Sequence, residues 1–267
     1  MDETYKNSIT MPDIDIVIPL SGSMYLPYLR NCLASISKQD FPKKDIGIIV
    51  SCIMHDEKQD YKEMAKLCAT YEATLVFTKS RQNYFSRGYA LNIGVRSGAR
   101  EMLAFVDADI YLHPKTLTMT VTKCAECEKN VMAIIPVTRT QYKPKNVIWT
   151  SGILEKDYYW RLLVNTLPYA RGGFGNAVVR RDVFERIHGH DERFVGWGAE
   201  DSDIYHRMKK CGKVIDMNNT KLLRALHQKH GPPPSKNDPE KIKRNRRLLK
   251  KSKMITRNIN RWGGVRS

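Results

Sequence analysis

The sequence has no apolar run approaching the roughly 20 residues that a bilayer-spanning helix requires. Its strongest apolar stretch, Ile46 to Met54, is of strand length. The N-terminus, Met1 to Met11, carries two early acids and no apolar core, so it does not read as a secretory signal, and a cytoplasmic location is the expectation. Cysteine is sparse and scattered: Cys32, Cys52, Cys68, Cys124, Cys127 and Cys211 form no disulfide framework. Cys124 and Cys127 make a lone C-x-x-C, and no second pair completes a zinc set. Acidic residues are also short, 28 against 45 Lys and Arg, giving a formal net charge of +17. The imbalance is concentrated, since residues 236–267 hold 12 Lys/Arg and 2 Asp/Glu. A surface of that kind attracts polyanions such as nucleic acid or an anionic membrane face, although solubility alone is a simpler use for it. There is no internal repeat.

What is present is enough for a core. A chain of 267 residues, 42% hydrophobic, with 4 Trp, 13 Tyr and 7 Phe, buries a full interior without disulfides. Ile14–Leu20 reads as a buried parallel strand ending at Pro19. Leu26–Lys38 follows with Leu26, Leu29, Leu33 and Ile36 on one helical face. Strands at Asp45–Ile53, Ala73–Phe77 and Met102–Val106 alternate with helices at Tyr61–Tyr71 and Ser86–Ala99, the order of an open, mostly parallel α/β sheet flanked by helices. Ligands bind such sheets at the strand ends. A helix over Pro114–Glu128 and a strand over Val131–Val137 come next, and Tyr142–Ala170 reads as irregular. Gly172–Val179 is glycine-rich and then strand-like, and Asp182–Ile187 and Asp201–Cys211 read as helices. After a proline run, Asp238-Pro239-Glu240 opens a basic C-terminal helix, with Asp as cap and Pro at the first position. The expected organisation is one domain over residues 10–235 and a basic helical extension over 236–267.

Four clusters carry chemistry. Asp107-Ala108-Asp109 follows an apolar strand, and two carboxylates so placed can hold a divalent metal on a diphosphate. Acids also end strands as turn residues. Arg87 and Asn92 lie on the helix leading into that strand. Arg87 is placed to meet a nucleotide phosphate, while a surface arginine and a buried, backbone-bonded asparagine are the plainer alternative. Gly172-Gly173-Phe174-Gly175-Asn176 lets backbone approach a ligand, or simply turns. Phe194 to Asp203 (FVGWGAEDSD) is the most informative stretch: Trp197 offers a face for a sugar, Gly196 and Gly198 a bend, and Glu200 and Asp201 a charged pair at a helix start. A charged carboxylate held against a hydroxyl is a general base. N-capping accounts for one or two of the acids but not for the tryptophan and glycines. His227 and His230 precede the proline run, and either is a candidate third metal ligand beside the D-x-D.

The order R-x-x-A-L-N-x-G, D-x-D, G-G-x-G-N, W-G-x-E-D-x-D and His resembles that of GT-A (Rossmann-like) glycosyltransferases, in particular family 2 enzymes of the bacterial chondroitin-polymerase type and the C-terminal region of β-1,4-galactosyltransferases. The likeness runs from about Ile14 to Pro239. It implies an inverting glycosyltransferase that uses a nucleotide-sugar donor, usually a UDP-sugar, and a divalent metal, Mn²⁺ or Mg²⁺. It further implies that Asp109 and His227 ligate the metal. Asp107 would contact the donor ribose or the metal shell, and Arg87 the diphosphate. Gly173 would lie against the donor sugar, with Asp201 as base and Glu200 as a hydroxyl partner. Pro19, Asn92 and Trp197 complete the expected donor side. Asp56 is the candidate reader of the nucleobase, in a segment that departs from the family's usual acid pair. Arg224 stands where the galactosyltransferases place a metal-binding methionine.

The acceptor is open at this level. Lys243, Arg244, Arg246, Arg247, Lys250 and Lys251 on the basic helix favour a polyanion, with DNA carrying hydroxymethylated bases placed first. A cytoplasmic glycan or lipid-linked acceptor at an anionic membrane surface comes second. A nucleic-acid-binding protein on an inactive transferase scaffold comes third, and the complete set of acids argues against it.

Overall fold

The computed structural model describes residues 11–54, 61–79, 85–127, 130–167, 174–217, 220, 224–231, 238–251, 254–259 and 262–263. The elements alternate as the sequence pattern predicts through the first half: β1 (Ile14–Ser21), α1 (Leu26–Ser37), β2 (Ile46–Met54), α2 (Lys62–Thr70), β3 (Thr74–Lys79), α3 (Arg87–Arg96) and β4 (Met102–Phe105). The chain continues through β5 (Ile110–Tyr111), α4 (Thr116–Ala125), β6 (Val131–Ile134), β7 (Val137–Arg139), α5 (Asp157–Thr166), β8 (Ala177–Arg180) and α6 (Arg181–Arg186). It ends with α7 (Glu200–Cys211), β9 (Lys213–Asp216), β10 (Ala225–His227) and α8 (Pro239–Lys251).

Seven strands form the main sheet in the order β3-β2-β1-β4-β8-β6-β9. It is mixed but mostly parallel: β8 alone runs antiparallel to its neighbours β4 and β6. The order grows outward from β1 in one direction through β2 and β3, then resumes on the other side of β1 at β4. The carboxyl ends of β1 and β4 are therefore the switch point, where a crevice opens between diverging connections. Strand periodicity divides the core between the two faces. Ile14, Ile16, Ile18 and Leu20 pack with Leu29 and Leu33 of α1, Leu67 of α2 and Val121 of α4. Val17, Leu103 and Phe105 pack on the opposite face with Leu91 and Val95 of α3, Phe184 of α6 and Met208 of α7. Truncating one such buried side chain to Ala costs about 2–5 kcal/mol.

The structure corrects several sequence readings. The strand expected over Val131–Val137 breaks at Pro136, which has no N–H for a ladder. β6 stays in the main sheet, and β7 joins a second sheet of order β5-β10-β7. The stretch 142–170 is not irregular throughout. α5 carries Trp160 and Val164 into a satellite core with Tyr111, Trp149 and Leu226. The short strands β9 and β10 lack a strong apolar pattern and escaped the sequence reading. The C-terminal helix begins as expected, with Asp238 Oδ1 accepting from Lys241 N at 3.1 Å. It ends at Lys251, and Ile255 and Trp262 lie beyond it, packed against the core formed by α3, α6 and α7. Ile259, between them in the chain, is exposed. Among the described residues, no helix is long and apolar enough to cross a membrane.

Candidate active site

The site is built where β4 ends. Asp107 follows that strand, and its backbone N–H donates to Asn176 Oδ1 at 2.8 Å, while Asn176 Nδ2 donates to Asp107 Oδ2 at 3.2 Å. Asn176 thus fixes both the main chain and the carboxylate. The other oxygen, Asp107 Oδ1, accepts from Arg87 Nε at 2.6 Å. Arg87 is the first residue of α3, and its side chain is largely buried. It also reaches Asp201 Oδ1 through NH1 at 3.0 Å and the Gly175 carbonyl through NH2 at 2.8 Å. One guanidinium therefore ties the end of β4 to the start of α7. Burial disfavours its charge, but the carboxylates of Asp107 and Asp201 outweigh that cost. The bridge needs a glycine alongside it: a Cβ at Gly175 would sit 2.9 Å from Arg87 and from both oxygens of Asp201.

Asp109 faces the other way. β5 pairs antiparallel with β10, setting His227 opposite Ile110 and hence beside Asp109. His227 Nε2 lies 3.5 Å and His230 Nε2 2.8 Å from Asp109 Oδ2. Asp109, His227 and His230 place their ligand atoms within 4.8 Å of one another, the arrangement of a possible metal site. Asp107 is not part of that cluster, and its carboxylate is hydrogen-bonded by Arg87 and Asn176. Burial pushes the Asp109 carboxyl up, but the hydrogen bond from His230 and the charge of His227 outweigh it and hold it below the usual range. The same Asp109 contact raises His230. One carboxylate and two imidazoles suit a borderline cation such as Mn²⁺ better than Mg²⁺, which prefers oxygen donors. The edges of Tyr25 and Tyr28 approach the His230 ring, with centroids 6.2 and 5.8 Å away. Neither tyrosine was singled out by a motif.

On the far side of Arg87 the segment before α7 is bent. Gly196, Gly198 and the non-glycine Ala199 all have positive φ, at 74°, 103° and 75°. Left-handed Ala199 stores strain immediately before Glu200 and Asp201. Trp197 is 42% exposed. Burial, followed by the charge of Asp201, lifts Glu200 to about 8. Its Oε2 is buried without a hydrogen-bond partner among the described residues. Burial also raises Asp201, against the pull of Arg87.

The remaining sequence candidates divide. Asn92 is buried and fully engaged: it donates to the His190 carbonyl and to Glu192 Oε1 at 2.9 Å each and accepts from His190 N at 2.8 Å. It holds the loop 190–192 rather than facing the crevice, which is the plainer of the two readings given for it. Pro19 is buried near the end of β1, paired with Ser51. Asp56 and Gly173 lie outside the described residues. Lys243, Arg244, Arg246, Arg247, Lys250 and Lys251 are all exposed on α8.

A mostly parallel sheet with a carboxylate cluster at its switch point and an acid pair opening a facing helix defines the GT-A class of nucleotide-dependent folds. Residues 15–231 match the family described as "Glycosyltransferase like family 2", and the chain belongs to that family. Chondroitin sulfate synthase 3 of Homo sapiens is 24% identical over 217 residues, covering 74% of this chain and 22% of the human protein. The Mus musculus protein of the same name is 21% identical over 210 residues, with the same coverage. The chain thus spans about a fifth of the length of these relatives. Among solved structures, residues 1–349 of S. aureus TarS in complex with UDP superpose with a TM-score of 0.59 at 16% identity, covering 89% of this chain and 64% of that one. The complex of the same TarS fragment with UDP-GlcNAc gives 0.58 at 15%, covering 89% and 65%. At these identities the likeness is one of fold.

Proposed function

We propose that this chain is an inverting, metal-dependent glycosyltransferase that moves a sugar from a UDP-sugar to the hydroxyl of a polyanionic acceptor. The observation that carries the reading is the Arg87 bridge between Asp107 and Asp201, set beside the Asp109–His227–His230 cluster. It supports a donor-side role for Asp107 and a base role for Asp201, the two being held within the span of one side chain. TarS in complex with UDP and with UDP-GlcNAc supports the choice of donor.

In this mechanism Asp201 takes the proton of the acceptor hydroxyl. The oxygen attacks the anomeric carbon from the face opposite the departing nucleotide diphosphate, so the configuration inverts. Arg87 keeps Asp201 ionised, while burial makes that carboxylate a stronger base than an exposed one. Glu200, raised to about 8, carries its proton near neutrality and donates a hydrogen bond to a sugar hydroxyl. Unequal environments thus split two adjacent carboxyls into a donor and a base. Asp109, His227 and His230 would hold a divalent metal, which would supply charge compensation for the leaving diphosphate. The exposed face of Trp197 stacks on the acceptor or donor sugar.

The six exposed cations of α8 support a polyanionic acceptor, with hydroxymethylated DNA bases as the first reading. The chondroitin sulfate synthase relatives favour a second, an anionic glycan. A donor screen reading nucleotide release, run with Mn²⁺ or EDTA and with hydroxymethylated duplex DNA, chondroitin oligosaccharide or anionic vesicles, tests both. Release stimulated by one of these identifies the acceptor class. Absence of both UDP binding and nucleotide release under every condition would sink the reading.

A further inference from the structure

α8 is a cationic helix with one anomaly. Seven of its residues are Lys or Arg, yet its one buried residue among those described is Asn245, at 0% exposure. A buried position on an amphipathic helix normally takes an apolar side chain, because an amide taken out of water must be hydrogen-bonded to recover its desolvation cost. Asn245 is not used by α8 itself. Its Nδ2 donates to the Val195 carbonyl at 3.1 Å and to the Trp197 carbonyl at 3.5 Å, the two that flank Gly196. Its Oδ1 is buried with no partner among the described residues. The helix therefore carries a desolvated amide oxygen in order to aim an N–H₂ at one stretch of main chain.

That stretch is the loop leading into α7, and it is gripped from two directions. From the entry of α3, Ser86 Oγ donates to the Phe194 carbonyl at 2.8 Å and the Phe85 carbonyl accepts from Gly196 N at 2.9 Å. From α8, Arg244 donates to the Arg193 carbonyl at 3.0 Å, and Asn245 supplies the two bonds above. The α8 grip reaches Trp197. Gly198 follows, where an added Cβ would meet nothing within 4 Å, and then comes the strained Ala199. The gripped chain thus passes through two left-handed residues, Gly198 and Ala199, directly into Glu200.

We propose that Asn245 is a positioning residue. It sets the height of the Trp197 main chain, and through Gly198 and Ala199 the register of Glu200 and Asp201, so the cationic helix is mechanically joined to the start of α7. The proposal rests on the glycosyltransferase reading for its functional consequence, but its structural part stands alone.

The test uses Asn245→Ala, Asn245→Leu and Asn245→Ser in the full chain. Acrylamide quenching reports mainly Trp197, because Trp149 and Trp160 are buried and Trp262 is partly buried, and a Trp197→Phe background gives the contribution of the rest. The Ala and Leu variants are expected to raise the Trp197 quenching constant by about twofold or more and to speed amide exchange over 196–201, as a released loop does. Ser keeps a donor and should restore part of the protection. Hydrolysis of UDP-GlcNAc, used as the probe donor, is expected to fall about 10–100-fold in kcat with KM little changed, the pattern of misplaced catalytic groups. A merely structural asparagine would lower the melting temperature and leave quenching and the kcat-to-KM split alone. Folded Ala variants with wild-type quenching and exchange would overturn the proposal, as would full restoration by Leu, which fills the volume without a donor. Failure of the wild type to bind UDP with Mn²⁺ would instead overturn the glycosyltransferase reading, and the quenching result would still decide the role of Asn245.

Discussion

Replacing Glu200 with Gln is the perturbation that best separates the two adjacent acids. Glu200 opens α7, where the helix dipole favours a carboxylate by about 0.3–1 kcal/mol. Burial works against it and wins, lifting the group from 4.5 to about 8, with the Asp201 charge as the second cause. Near pH 7 about nine-tenths of the folded molecules then hold Glu200 protonated, and Gln is a fair copy of that form. Hydrolysis or transfer by Glu200→Gln should stay within about threefold of wild type there, since a neutral hydrogen-bond donor is preserved. Above about pH 8 the wild type gains a second negative charge beside Asp201, and its kcat/KM should decline while that of Glu200→Gln does not.

Stability moves with the same proton. Folding raises this pKa, so the folded chain retains a proton that the unfolded chain loses above 4.5. The contribution is full below that pH and is lost as pH rises through about 8. At 1.36 kcal/mol per pKa unit the ceiling is near 5 kcal/mol, and water reaching the outer part of the side chain reduces it to about 2–4 kcal/mol. Glu200→Gln should therefore unfold several degrees higher than wild type at about pH 9 and differ little at about pH 4. Thermal melts across this range, run beside pH–rate profiles, are the assay. A loss of 10²-fold or more in Glu200→Gln near pH 7, where the wild-type group should be neutral, would mean that Glu200 is the ionised base and would refute the assignment.

Asp201→Asn should cut turnover about 10²–10⁴-fold with UDP binding retained, because it removes the base and keeps its shape; single-turnover rates beside UDP titrations check this. Replacing Asp109, His227 or His230 with Ala should weaken Mn²⁺-dependent UDP binding, and excess EDTA should mimic all three. Full wild-type activity in EDTA would remove the metal from the mechanism. Arg257→Ala should destabilise the fold by about 1.5–3 kcal/mol, since it removes one of the two arginines that hold each of the buried carboxylates Asp191 and Asp203, and urea denaturation would measure the change.

Much of the fold was legible because the signals were strong and local. The apolar runs of β1, β2 and β4 have nothing to do but cross a core, and the stripe Leu29, Leu33, Ile36 has one helical face to offer. Asp238 and Pro239 announced the start of α8. What escaped depended on pairing at a distance. β10 is three residues long and is a strand only because β5 and β7 receive it. α5 was hidden among loop-like residues, and its two buried side chains acquire meaning from Trp149 and Tyr111 elsewhere in the chain. The site shows the same division. Arg87, Asp107, Asp109, Asp201 and His227 stood out by residue type and order. The sequence could not show that Arg87 would be shared between two carboxylates. Nor could it show that Asn176 would orient Asp107, or that His230 would stand nearer Asp109 than His227 does.

The basic C-terminal residues read from the sequence as a helical extension, and several of them make contacts with buried groups of the domain. Arg257 NH2 lies 3.0 Å from Asp203 and its Nε 3.3 Å from Asp191, both carboxylates buried. Asp203 is also held by Arg207 at 2.7 Å, and Arg207 in turn donates to the Gly189 carbonyl. Asn258 donates to the carbonyls of His188 and His190, and Gly263 N donates to Glu192. The segment after α8 thus closes the same loop, 188–192, that Asn92 holds from α3. Cutting the chain before α8 would remove one of the arginines that hold two buried acids along with the exposed cations, so a truncated protein would confound charge with folding. Six cations of α8 are exposed, whereas Ile255, Arg257 and Trp262 pack against the domain, so the two roles are separable by substitution. Neutralising Lys243, Arg246, Arg247 and Lys250 leaves Arg257 and Asn245 in place and changes only what the outer face of the helix can attract.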